Sequence, residues 1–81
     1  MRITLKLNRI GMTMEEATLI RWCFKPGERF EKDDVLYEIE TEKVAEEVTA
    51  PESGTLIEAL VAEDDIIAVG DEICVVETDS N

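Results

Sequence analysis

The sequence predicts an all-β domain, a sandwich or barrel made of two similar halves. Three observations lead there. The β-rich segments are short and are separated by turn residues. A stretch of the chain repeats itself. No segment carries a helical stripe of apolar residues.

The strand-like segments are Ile3–Leu7, Thr18–Phe24, Val35–Glu40, Val44–Thr49, Thr55–Val61 and Ile73–Glu77. Pro26-Gly27, Asp33-Asp34, Pro51 to Gly54 and Gly70-Asp71 break the chain between several of them. Ile3-Thr4-Leu5-Lys6-Leu7 alternates cleanly and places three apolar residues on one face. Val35-Leu36-Tyr37 does not alternate, so its facing stays unassigned. Met14 to Arg21 is the nearest approach to a helical pattern, but its Thr18-Leu19-Ile20 recurs later as strand material.

The repeat appears on a shift of 37 residues, which lays Ala17–Thr41 on Gly54–Thr78 without a gap. Thr18-Leu19-Ile20 falls on Thr55-Leu56-Ile57, Asp34 on Asp71, and Glu40-Thr41 on Glu77-Thr78. Apolar character persists where identity fails: Phe24 with Val61, Phe30 with Ile67, Leu36 with Ile73, Ile39 with Val76. Two copies are too few for a solenoid. They fit two half-cores packed about a pseudo-two-fold axis.

Composition narrows the function. With 81 residues, 44% of them hydrophobic, the chain has room for one domain and one core. Only Trp22, Phe24, Phe30 and Tyr37 are aromatic, so Val, Leu and Ile must fill most of that core. Twenty acidic against eight basic residues give a net charge of −12. That argues against nucleic acid and against anionic membrane surfaces, both of which call for clustered Lys and Arg. A cationic protein partner fits better. There is no histidine, which removes the commonest metal ligand and the usual general base. Asp33-Asp34 and Asp64-Asp65 read as exposed turns rather than metal sites. Cys23 and Cys74 each sit in an apolar stretch and are expected to be free, buried thiols. No basic-then-apolar leader opens the chain and no apolar run approaches about 18 residues, so neither export nor a membrane span is expected.

Glu40-Thr41-Glu42-Lys43-Val44 joins two strand-like runs at the junction of the two copies. Glu42 and Lys43 would fill a tight turn of type I geometry, since neither is glycine or asparagine. Of the four lysines, Lys6, Lys25, Lys32 and Lys43, only the last lies at that junction. Glu40, Glu42, Glu46 and Glu47 surround it in sequence. Negative neighbours favour an ammonium over a free amine, which makes Lys43 a poor Schiff-base nucleophile. It suits an acceptor whose acyl group another enzyme brings.

Here the sequence resembles the lipoyl domains of 2-oxo-acid dehydrogenase acyltransferases, whose modified lysine lies in an E-T-D-K-A motif. Gly11-Met12-Thr13-Met14-Glu15-Glu16 is similar to the segment before the second strand in pyruvate- and acetoin-type members. Ala50-Pro51 with Gly54-Thr55, and Gly70-Asp71, are similar to the family's turns. The likeness runs from about Ile3 to Val76. Glu42 and Val44 stand where the motif has Asp and Ala, Glu46 where members often carry an apolar residue, Ala17 where Gly is common, and Asn8-Arg9 where Pro-Lys is common.

The resemblance implies a flattened barrel of two four-stranded antiparallel sheets over residues 1–77, with 78–81 a tail or the start of a linker. It implies lipoic acid amide-linked to Lys43, with Glu40, Thr41, Glu42, Val44, Glu46 and Glu47 as recognition residues. The implied role is a swinging arm without an active site of its own. Its implied partners are a lipoate ligase or lipoyl transferase, a thiamine-diphosphate-dependent 2-oxo-acid decarboxylase, an acyltransferase core and a flavin-dependent dihydrolipoamide dehydrogenase. The implied location is the cytoplasm, or the mitochondrial matrix in a eukaryote. The alternatives are an unmodified barrel used as an interaction or adaptor module, and a biotin carrier, whose lysine the biotin family flanks with methionines.

Overall fold

The computed structural model describes residues 1–8, 15–41 and 44–79. Eight strands follow one another: β1 (Arg2–Lys6), β2 (Glu16–Trp22), β3 (Arg29–Phe30), β4 (Val35–Thr41), β5 (Val44–Thr49), β6 (Gly54–Ala59), β7 (Ile66–Ala68) and β8 (Glu72–Thr78). They form two four-stranded sheets, β1-β8-β6-β3 and β5-β4-β2-β7, in which neighbouring strands are antiparallel. The all-β expectation therefore holds. β3 and β7 are additions to the six segments read from sequence. At two and three residues they are too short for alternation to announce them. Phe30 and Ile67 nevertheless sit at the centre of the core.

The 37-residue repeat is built into the backbone. The offset carries the bounds of β4 onto those of β8, and it relates the two sheet orders strand by strand. Each central strand carries a bulge at an equivalent residue, Ile20 and Ile57 in one pair, Leu36 and Ile73 in the other. The bulge explains why Val35-Leu36-Tyr37 fails to alternate: the extra residue breaks the period of two, and Leu36 and Tyr37 are both buried.

The turns repeat as well. Left-handed backbone occurs at Gly27 and its equivalent Asp64, and at Asp33 and its equivalent Gly70. Glycine and aspartate tolerate that conformation better than most residues, so they exchange between the copies. The Glu28 and Asp65 carboxylates accept from the Lys25 and Ala62 N–H groups, and Asp34 and Asp71 accept from Glu31 and Ala68. The paired acids 33–34 and 64–65 are thus turn residues, as read from the sequence. Gly54 has a different reason: a Cβ there would lie 2.2 Å from the Glu77 carbonyl oxygen of the neighbouring strand.

The core lies between the sheets and is filled by equivalent pairs, including Leu19 with Leu56, Phe30 with Ile67, Leu36 with Ile73 and Ile39 with Val76. Tyr37 and Trp22 stack at 5.1 Å, and the indole Nε1 donates to the Val61 carbonyl at 3.0 Å. Both cysteines are free, but only Cys74 is buried; Cys23 is exposed, which corrects the expectation for it. Alternation turns the flanking Trp22 and Phe24 toward the core and leaves Cys23 outside. Among the described residues no helix is long and apolar enough to cross a membrane.

The first and last described strands meet at one pole. The Thr78 N–H donates to the Met1 carbonyl at 2.7 Å, and the Met1 ammonium donates to the Thr78 carbonyl at 3.0 Å. Thr78 closes β8, and Asp79 pairs with Arg29 and donates its N–H to the Ser53 carbonyl. The β4–β5 hairpin lies at the other pole. The β7–β8 turn crosses from the hairpin end of its sheet to the Glu72 end of β8, away from Thr78.

Candidate functional site

Pairing of β4 with β5 sets the geometry of this pole. Thr41 pairs with Val44, so the sequence leaves two residues, Glu42 and Lys43, to connect the strands. Those two residues lie outside the described residues, as does the 9–14 segment with most of the Gly11–Glu16 motif. Val44 opens β5 with 53% of its surface exposed.

Strand alternation divides the remaining sequence-predicted residues between two faces. Glu40 pairs with Ala45 and is exposed on the outer face of the sheet; Glu47 is exposed there too, opposite Glu38. Glu46 pairs instead with the buried Ile39 and is half-buried, so it points to the inner side at the sheet edge. There it lines a groove of about 300 Å³ together with Lys6, Asn8, Tyr37 and Val48. A charge turned inward on an edge strand also discourages pairing with another chain. Thr41 is half-buried at the end of β4.

Two neighbours were not anticipated from sequence. Glu38 stands directly across from Glu47, a like-charge pair that costs stability unless relieved. Arg21 relieves it: its Nε donates to Glu38 Oε2 at 2.5 Å. That bond and the Glu38 charge raise the Arg21 guanidinium above its ordinary value, with a smaller contribution from Glu47. The Ile20 bulge brings Arg21 opposite Glu38, and nothing in the linear sequence announces it.

The biotin/lipoyl family model, described as "Biotin-requiring enzyme", matches residues 3–79. The chain belongs to this biotin/lipoyl-attachment family. Similar proteins fall on the lipoyl side. A probable dihydrolipoyllysine-residue succinyltransferase component of a mitochondrial 2-oxoglutarate dehydrogenase complex, from Schizosaccharomyces pombe, is 41% identical over 66 residues; the match covers 82% of this chain and 15% of that protein. The succinyltransferase component from Rickettsia conorii is 41% identical over 73 residues, covering 90% and 18%. A dihydrolipoyllysine-residue acetyltransferase component of a pyruvate dehydrogenase complex, from Staphylococcus epidermidis, is 38% identical over 73 residues, covering 90% and 17%. The attachment domain thus spans less than a fifth of the length of these relatives.

Among solved structures, the lipoyl domain of the 2-oxoglutarate dehydrogenase complex from Azotobacter vinelandii matches with a TM-score of 0.79 and 28% identity, covering 96% of this chain and 99% of that one. A single-chain, multi-domain long-chain acyl-CoA carboxylase matches with a TM-score of 0.81 and 16% identity, covering 99% and 7%, a likeness of fold alone.

Proposed function

We propose that the attachment domain is a lipoyl carrier, with lipoate joined as an amide to Lys43 Nζ. The observation that carries this reading is the Thr41–Val44 pair. It makes Glu42 and Lys43 the whole connection of a hairpin at the pole opposite the chain ends. A covalent arm needs a primary amine and open space rather than an enclosing cavity. The exposure of Glu40, Val44 and Ala45 around the connection fits that need. Lipoate supplies a dithiolane able to carry acyl groups and electrons.

The protein's own residues do the rest. The β4–β5 ladder holds the hairpin rigid, and Glu40, Thr41, Glu42, Val44, Glu46 and Glu47 present it for recognition. Tethering raises the local concentration of the arm into the millimolar range for a short flexible linker. The reading includes no active site in this domain. A lipoate ligase or lipoyl transferase loads it, and a thiamine-diphosphate-dependent decarboxylase, an acyltransferase core and a dihydrolipoamide dehydrogenase use it. Residues 1–77 form the carrier unit and 78–81 lead toward a linker, with Thr78 completing β8. The compartment is that of such complexes, the bacterial cytoplasm or the mitochondrial matrix. The relatives' names, which specify a dihydrolipoyllysine residue, favour lipoate over biotin. Incubation with a lipoate ligase, ATP and lipoate, followed by intact-mass measurement, tests the proposal: one lipoyl group is expected on the wild type and none on Lys43→Arg.

A further inference from the structure

The internal symmetry supplies a control for reading the surface. On the outer face of one sheet a row of paired residues runs Arg2, Glu77, Thr55, Arg29. The equivalent row on the other sheet runs Ala45, Glu40, Thr18, Ile66. The middle residues are identical in kind and place. The flanks are not. At the terminal pole both flanks are arginines; Arg2 reaches Glu77 at 3.5 Å and Arg29 pairs with Asp79. At the hairpin pole alanine and isoleucine take their places, so the row puts no cation beside Glu40.

The fold does not require this difference, because the position equivalent to Ile66 carries an exposed arginine in the same backbone setting. Yet Ile66 is 69% exposed, the highest value among the large hydrophobic residues described. It is not isolated. Ile20, 36% exposed, lies two residues along β2 from the Thr18 that faces Ile66, a diagonal contact on the same face. Ala68 continues the apolar strip along β7. Glu16, Glu38, Glu40 and Glu47 border it. An apolar centre inside a charged rim is the pattern of a protein contact rather than of scattered surface residues.

Charge decides the occupant. A second copy of this chain brings another −12, and its carboxylates repel these. Anionic lipid is repelled for the same reason. A cationic protein surface with an apolar centre is attracted. We propose that this face, centred on Ile66, Ile20 and Glu40, seats the enzyme that acylates Lys43, its apolar surface on the isoleucines and a Lys or Arg on Glu40. The inference rests on the carrier reading, since it assumes that Lys43 is acylated.

The test uses a lipoate ligase with ATP and lipoate. The lipoate carboxyl is activated as an acyl-adenylate with loss of pyrophosphate. The Lys43 amine then displaces AMP, and the proton it sheds goes to solvent. Ile66→Arg reproduces the other pole and should lower kcat/KM at least tenfold, mainly through KM, with the thermal unfolding midpoint unchanged. Arg29→Ile, the reverse exchange at the far pole, should leave kcat/KM as in the wild type. Ile66→Thr should give a smaller loss in the same direction and serves if the arginine variant folds poorly. If both Ile66 variants fold and are acylated as fast as the wild type, the docking face is wrong and the carrier reading stands. If the wild type itself gains no lipoyl group, the carrier reading fails first. A wild type that sediments as a dimer, and Ile66→Arg as a monomer, would make the face a contact between copies and overturn the proposal.

Discussion

Cys23 and Cys74 occupy non-equivalent places in the two copies, and the difference is chemical. Burial pushes the Cys74 thiol from an ordinary 9.0 up to about 11, whereas Cys23 stands in solvent. The native protein should therefore titrate one thiol at pH 8 and the denatured protein two; two reactive thiols in the native state would contradict the packing. Burial also raises Tyr37, with the Cys74 charge a smaller cause. In both groups folding favours the protonated form. The stability they contribute is complete below the unfolded thiol value near 9 and declines as pH rises through about 11. Thermal unfolding should hold steady from neutrality to about pH 8.5 and fall above it. The sequence could not place Cys23, because its apolar neighbours belong to the opposite face of the chain.

Elements show both what sequence patterns convey and where they fail. β4 and β8 were legible because identical residues recur at equivalent places, with Glu40-Thr41 against Glu77-Thr78. β3 and β7 were not, since each is held by its partner strand and by one buried side chain rather than by a pattern of its own. Strand pairing also decides the Ile66 face. Ile20 and Ile66 are far apart in sequence and meet only because β7 adds to the edge of β2. At Gly54 the close approach of β8 leaves no space for a methyl group. Gly54→Ala should cost about 1–3 kcal/mol through overpacking, seen as a fall of roughly 4–20 °C in the unfolding midpoint. An unchanged midpoint would show that β6 and β8 can separate freely at that point. Gly27, where a Cβ meets nothing within 4 Å, tests backbone strain instead of contact.

The whole molecule is a doubled unit whose two poles have diverged. At one pole the chain ends are pinned to each other; at the other the same strand pairing is closed by a two-residue connection bearing Lys43. The sequence conveyed the doubling, the junction and the lysine, because all three are local in the chain. It did not convey the charge difference between the poles, which depends on which residues become neighbours across strands. The account stands on one property, acylation of that lysine and no other. Intact mass after treatment with lipoate ligase, ATP and lipoate should show a gain of one lipoyl group on the wild type and on variants lacking Lys6, Lys25 or Lys32. Lys43→Arg should fold normally and gain nothing. A wild type that gains no mass, or a Lys43→Arg protein that still does, would contradict the assignment of Lys43 as the carrier residue.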